Sequence, residues 1–166
     1  MALKDALLPE YDHEMGTTRR LLERVPEADL GWKPHEKSFS LGRLASHIAN
    51  IPHWIDLACD APMLDLATLG DDARERDPKS IAEVLKAFDA NVKKGRQKID
   101  AQTDSMMFGQ WTLKQGDQEI LTMPRVSVLR SFIMNHLIHH RGQLSVYLRL
   151  RNVPLPAIYG PTADEG

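Results

Sequence analysis

Residues 125–152 read Arg-Val-Ser-Val-Leu-Arg-Ser-Phe-Ile-Met-Asn-His-Leu-Ile-His-His-Arg-Gly-Gln-Leu-Ser-Val-Tyr-Leu-Arg-Leu-Arg-Asn, directly after Pro124. Leu129, Phe132, Ile133, Leu137, Leu144, Tyr147 and Leu148 recur through this stretch at helical spacing. It is the longest and most apolar periodic segment of the chain, which places it in the middle of the core. Three further segments have the same periodicity. The first spans 3–25, with Leu3, Leu7, Met15, Leu21, Leu22 and Val25 near helical spacing. Pro26 closes it, because a proline keeps the residue before it out of the α-region. The second spans 41–58, with Ser40 as N-cap and Leu41, Leu44, Ile48, Ile51 and Ile55 on one stripe; Pro52 is expected to kink or split it. The third spans 81–101, where Ser80 and Glu83 match a capping box ahead of Val84, Leu85, Phe88, Val92 and Ile99. Lys93, Lys94, Arg96 and Lys98 in its second half read as a solvated face suited to a helix C-terminus.

Two connections are long. Residues 59–79 hold two prolines, Gly70 and the charge run Asp71–Asp77, and 102–124 read as two short extended runs around Gln115-Gly116-Asp117. Four long helices joined by long crossovers predict an all-α fold, a four-helix bundle.

The chain of 166 residues, 18.8 kDa and 42% apolar content suits a single domain over 1–166 with a sizeable core. Lys plus Arg is 21 against 23 Asp plus Glu, a net charge of −2. A domain that wraps a polyanion carries a clear basic excess, so nucleic acid is excluded as a partner. No apolar run approaches the roughly 18 residues of a membrane span. Lys4, Asp5, Pro9 and Glu10 near the N-terminus exclude a signal peptide. Cys59 is the only cysteine, so there is no intrachain disulfide and no CxxC motif. These features predict a soluble, cytoplasmic protein.

Histidine is the unusual component: seven in all, three of them within 136–140. His136 and His140 are four residues apart, one above the other on a helix face, the spacing by which one helix donates two ligands to a metal. Leu129, Phe132, Ile133 and Leu144 share their stripe, so both are expected to point inward. His139 is turned away and is not expected to share a metal with both. His47, on the Leu44–Ile48–Ile51 side of the second segment, offers a third imidazole from another helix. The alternative is that these are buried histidines, each satisfied by a backbone carbonyl. Two competing motifs are absent. A di-iron bundle needs two Glu-x-x-His copies, and only Glu10–His13 fits. A zinc protease needs Glu after the first ligand, where this chain has Leu137.

Leu41-Gly42-Arg43-Leu44-Ala45-Ser46-His47-Ile48, the run Asn135–Gln143 followed by Leu144-Ser145-Val146-Tyr147-Leu148-Arg149, Pro154–Pro156 and Tyr159-Gly160-Pro161 together resemble the DinB family over nearly the whole chain. The resemblance implies an up-down-down-up four-helix bundle, often dimeric, with one divalent metal on three histidines. Carried over by position, the ligands are His47, His136 and His140. It also implies metal-dependent transfer or isomerisation involving low-molecular-weight thiols, the chemistry of the minority of members with known activities. The family name comes from DNA-damage induction and carries nothing about DNA binding.

Three neutral imidazoles leave a divalent ion its full charge and an open position, the mark of a catalytic site. Such an ion lowers the pKa of bound water toward about 7 or deprotonates a thiol. Zinc, nickel, iron and manganese are not distinguished by the sequence, since imidazole accepts several of them. From Leu121 to Ala163 there is no Asp or Glu, while Arg125, Arg130, Arg141, Arg149 and Arg151 lie there, so an anionic ligand is expected to be welcome. Arg149 and Arg151 are read as complementing a helix C-terminus, and Arg141 stays open. Gly142 marks close helix packing or a ligand, with packing favoured. Gln143 is a partner for His140 or an exposed side chain. Tyr147 is read as core, His13 as surface or a proton carrier, His35 as loop or a roof over the site, and His53 as exposed. Cys59 is not expected to be the reacting sulfur. Segments 59–79 and 102–124 are expected to form a cavity over the metal.

The activity is accordingly read as thiol transfer to an anionic or electrophilic small molecule, with a metal-dependent hydrolase as the alternative. A non-catalytic metal or small-molecule binding protein of a stress response is the reading from a different class. A homodimer rests on the resemblance, with Trp54, Met63, Met106, Met107 and Trp111 offered as an apolar surface.

Overall fold

A computed structural model describes residues 2–70 and 77–166. Helix α1 runs Leu3–Leu22 and buries Leu7, Tyr11, Met15, Leu21 and Leu22. The second segment divides at Pro52, whose missing N–H and ring break the α-ladder. Helix α2 is Leu41–Asn50, a single 3₁₀ turn covers Ile51–His53, and α3 is Trp54–Asp60. The Ser40 hydroxyl caps α2, accepting from Arg43 N at 3.1 Å. Helix α4 is Ile81–Asp100, capped by Ser80, which accepts from Glu83 N at 3.2 Å. The Glu83 carboxylate does not return to Ser80; it accepts from Lys79 N at 3.1 Å, so the expected capping box closes one residue early.

A short helix α5, Asp104–Phe108, follows. The segment at 125–152 is not one α-helix. Helix α6 is Arg125–Ser127, π-helical turns cover Val128–Met134, and α7 is Asn135–Leu150. Asn152, at φ 57°, adopts the left-handed conformation common just past a helix end.

Helices α1 and α2 each pack against both α4 and α7. Leu21, Leu44, Ile48, Phe88, Leu137 and Leu144 lie fully buried between them. The approach at Gly95 is close: a Cβ there would sit 2.8 Å from Tyr11 Oη and 2.9 Å from Ile55 Cδ1.

The expected all-α four-helix bundle, up-down-down-up with loops as crossovers, is overturned by a sheet. Strand β1 is Met63–Asp65, β2 is Gln110–Gln115 and β3 is Gln118–Pro124, in spatial order β1-β2-β3. Strand β1 runs parallel to β2, pairing Leu64 with Leu113, and β2 runs antiparallel to β3. The β2–β3 turn uses Gly116 at φ 60°. The physical reason is legible in β2, where Trp111 and Leu113 are buried and Thr112 is not. A chain that buries alternate residues beside a helix must also satisfy its backbone N–H and C=O groups, and ladder pairing does so. The sheet packs on α3 through β1, and a cavity separates it from part of the π-helical segment. Most of the charge run Asp71–Asp77 lies outside the described residues; Asp77 accepts a hydrogen bond from the Ser40 hydroxyl. No helix among the described residues is long and apolar enough to cross a membrane.

Candidate metal centre

Helices α2 and α7 bring His47, His136 and His140 together. His136 Nε2 lies 3.1 Å from His47 Nε2 and 2.9 Å from His140 Nε2. One ring nitrogen from each residue lies within 4.8 Å of the others, and all three residues are half-buried. Gln143, one turn after His140, holds His140 Nδ1 at 2.7 Å from its Oε1. A carboxamide oxygen only accepts, so Nδ1 donates and carries the proton, and neutral His140 presents its Nε2 lone pair to the cluster. The Gln143 amide nitrogen lies 3.1 Å from His139 Nε2, to which it donates. Imidazole lone pairs converging at this spacing repel one another unless a cation or a proton sits among them. The donor set therefore fits a divalent ion, with an outer hydrogen bond of the kind that orients a metal-binding imidazole.

Aromatic rings enclose the group. The Trp54 indole stands edge-on to His47 at 5.8 Å and to His136 at 5.1 Å between centroids. Phe39 lies against His47 at 6.1 Å, and Phe132 against His136 at 6.3 Å. These rings limit the imidazole rotamers. The sequence reading missed them, although Trp54 is two turns from His47 and Phe132 one turn from His136.

The phase of α7 differs from the expectation that His136 and His140 point inward. Its buried residues are Leu137, Arg141, Leu144 and Leu148. The two histidines sit on the flank of the core, at its rim. His139 is exposed and outside the group, as expected.

The arginines are committed elsewhere, which corrects the picture of an anion-binding patch. Arg141 is 1% exposed and pairs with the buried Glu14 of α1 at 2.7 Å. Arg125 donates to the Ala58 carbonyl at 2.6 Å. Arg130 pairs with Glu10, Arg149 with Asp164 and Arg151 with Asp29.

The other histidines lie apart from the three. His13 stacks on Tyr159 at 6.4 Å. His35 Nδ1 accepts from Lys37 N within its own loop. His53 Nδ1 lies 3.1 Å from Asp56 Oδ2. Tyr147 packs edge-on to Trp32 at 5.8 Å. Gly142 meets neither reading, since a Cβ there would find nothing within 4 Å. Met107 and Trp111 are buried, so they add nothing to an exposed apolar face. Burial pushes the Cys59 thiol up to about 11, which keeps it protonated and unreactive near neutral pH.

The crossover segments do form a cavity, of about 510 Å³, but it lies beside the three histidines rather than over them. Trp54 and Phe132 separate it from His136.

Helices flanked by a small mixed sheet, with three imidazoles converging from two of the helices, define a class of potential metal-binding domains. Within that class the chain belongs to the DinB family, whose model matches residues 2–166. It is 27% identical over 169 residues to the "Uncharacterized protein YrdA" of Bacillus subtilis (strain 168), covering 97% of this chain and 90% of that protein. Its fold is similar to the crystal structure of a DinB-like protein from Bacillus cereus ATCC 10987, with a TM-score of 0.74 at 19% identity over 95% of this chain and 98% of that one. A second DinB-like protein, YjoA from Bacillus subtilis, superposes with a TM-score of 0.68 at 18% identity, over 97% and 99% of the two chains.

Proposed function

We propose that His47, His136 and His140 hold one divalent metal ion, and that the chain uses it to transfer a low-molecular-weight thiol to an electrophilic small molecule. The observation that supports this reading is the convergence of three Nε2 atoms, with Gln143 holding His140 in the tautomer that a metal requires. The thiol part follows the activity that the DinB resemblance implies. A divalent ion bound there supplies a Lewis acid that favours the thiolate form of a thiol at neutral pH. The transfer balances simply. The S–H proton passes to solvent, sulfur forms a bond to the electrophilic carbon, and the leaving group departs with the bonding pair.

The chain's own residues prepare this step. Trp54 and Phe132 shield one side of the centre from water, and Gln143 fixes the His140 ring. Cys59 does not compete as the nucleophile, because its thiol stays protonated.

Elemental analysis of the purified chain tests the metal. One divalent ion per chain is expected, lost in each of His47→Ala, His136→Ala and His140→Ala and kept in His139→Ala. Full occupancy in the His47→Ala protein removes that residue from the site. Titrating the cobalt-substituted protein with candidate thiols tests the chemistry through sulfur-to-metal charge-transfer absorption. A silent spectrum, together with water-dependent turnover of an ester or amide, replaces the transferase with a hydrolase.

A further inference from the structure

The ridge formed by α2 and α3 changes character along its length. His47 belongs to the metal centre, Asn50 follows one turn on, and Trp54 faces the 510 Å³ cavity. That volume falls within the range of small-molecule sites. Its walls are aromatic where they matter most: Trp54 from α3, Trp111 from β2 and Phe132 from the π-helical turns. Flat apolar walls favour a flat apolar occupant, since ring–ring contacts add to the burial of area. Trp54 and Phe132 lie 6.2 Å apart, and both also touch His136. An occupant of the cavity is thus one ring away from the three imidazoles.

One polar group at the cavity has a defined role. Asp56 is buried, and its Oδ2 lies 2.7 Å from Lys94 Nζ and 3.1 Å from His53 Nδ1. The carboxylate oxygen accepts, so His53 Nδ1 donates. His53 is one of the residues lining the cavity.

We infer that the cavity binds the body of the electrophilic substrate, a neutral and largely apolar ring system that stacks among Trp54, Trp111 and Phe132. The word electrophilic rests on the thiol-transfer reading; binding of the ring system does not. The probe is N-phenyl-1-naphthylamine, a neutral, fluorescent aromatic amine with a single N–H. It is titrated into the full-length chain, with fluorescence sensitised by Trp54 and Trp111 as the readout.

Saturable binding at one probe per chain is expected. Ala58→Phe, which fills the cavity, should weaken it about tenfold or more, as should Leu66→Arg, which places a charge at the half-buried Leu66 of its lining. The Leu66 variant changes a half-buried side chain in a short turn, so it keeps the test decisive if the Ala58 variant fails to fold. Protein stripped of metal with a chelator should bind the probe as the untreated protein does. Absence of saturable binding overturns the inference, as does unchanged affinity in the Leu66 variant. Loss of the probe in the stripped protein with retention in Leu66→Arg also overturns it, because binding then depends on the metal centre and not on the cavity. A chain that binds no metal but passes the probe titrations refutes the metal reading alone, so the two failures are distinguishable.

Discussion

Arg141 stands beside a proposed metal ligand in sequence, yet the structure gives it to the core, and that assignment can be measured. It is 1% exposed and Glu14 is 6% exposed. Its Nη1 lies 2.7 Å from Glu14 Oε2 and donates also to the Glu14 carbonyl and to Thr18 Oγ1, both at 3.2 Å. Tyr159 closes the group, with its hydroxyl accepting from Arg141 and donating to the Glu14 carboxylate at 2.8 Å. Glu14→Leu therefore strands a guanidinium where water does not reach. Removing one member of such a pair costs about 3–5 kcal/mol, whereas replacing both by apolar residues of similar volume is often neutral or stabilising. Against the roughly 5–15 kcal/mol that holds an ordinary domain together, the single change is severe.

The assay is urea denaturation followed by far-UV circular dichroism, applied to Glu14→Leu, Arg141→Met and the double variant. Each single variant should lose about 3–5 kcal/mol, and the double variant should lose clearly less than either. Metal content of the folded double variant should equal that of the parent. Two results would refute the reasoning. One is a loss below about 1 kcal/mol in Glu14→Leu, the behaviour of a surface pair. The other is a stable Arg141→Met protein that no longer binds thiol, which would return Arg141 to the site.

Two glycines, on α4 and α7, should respond oppositely to alanine. Gly95→Ala sets a Cβ 3.2 Å from the Pro52 carbonyl as well as against Tyr11 and Ile55, and should cost about 1–3 kcal/mol, whereas Gly142→Ala enters open space and should stabilise by about 0.5–1 kcal/mol; paired thermal melts check both. Gln143→Leu should weaken metal affinity about 10–100-fold in a chelator competition, while His139→Ala changes it little. Stability should be level to about pH 9 and then fall. Burial raises the Cys59 thiol from 9.0 to about 11, so in that interval the unfolded chain releases a proton that the folded chain keeps. The loss from Cys59 is at most about 2–3 kcal/mol, and Cys59→Ala should remove it. The slope then remaining belongs to Tyr11 and Tyr159, whose hydroxyls burial also pushes up, and to Lys98, which its bond to Asp60 holds protonated, and it begins about one unit higher. Urea midpoints compared at about pH 8 and pH 10.5 decide the matter, and an equally steep fall in Cys59→Ala would remove burial of this thiol as the cause.

Local signals in the chain were read well, and the errors came from tertiary context. Ser40 and Ser80 cap their helices because a side-chain oxygen next to an orphan N–H needs no distant partner. Pro52 splits its helix, and Gly116 supplies the turn between two extended runs, for equally local reasons. The sheet was not legible as a sheet. Strand β1 has three residues, and its parallel partner β2 is 49 positions along the chain by the pairing of Leu64 with Leu113. No local pattern announces a pairing that depends on a surface built by other elements. The three histidines were legible because ligand spacing on a helix is itself local. Their aromatic enclosure was not, because it needs α2, α3 and the π-helical turns to meet.

The phase of α7 ties the misreading to the chemistry. The sequence reading turns His140 inward and leaves Arg141 open; an inward His140 would set Arg141 about 100° around the helix, toward its flank. The structure reverses them, since Glu14 waits in the core for Arg141. Buried residues Leu129, Ile133, Leu137 and Arg141 step by four, wider than the 3.6 of an α-helix, and the first half of that path is the π-helical stretch Val128–Met134. His136 and His140 each precede a buried residue by one position, about 100° around the helix. That offset holds the imidazoles at the rim, half-buried, where they meet His47. Had the histidines taken the inward phase, the same three rings would lie among Leu44, Ile48 and Leu144, closed to any substrate. The buried ion pair on one side of α7 is thus what leaves the histidines accessible on the other.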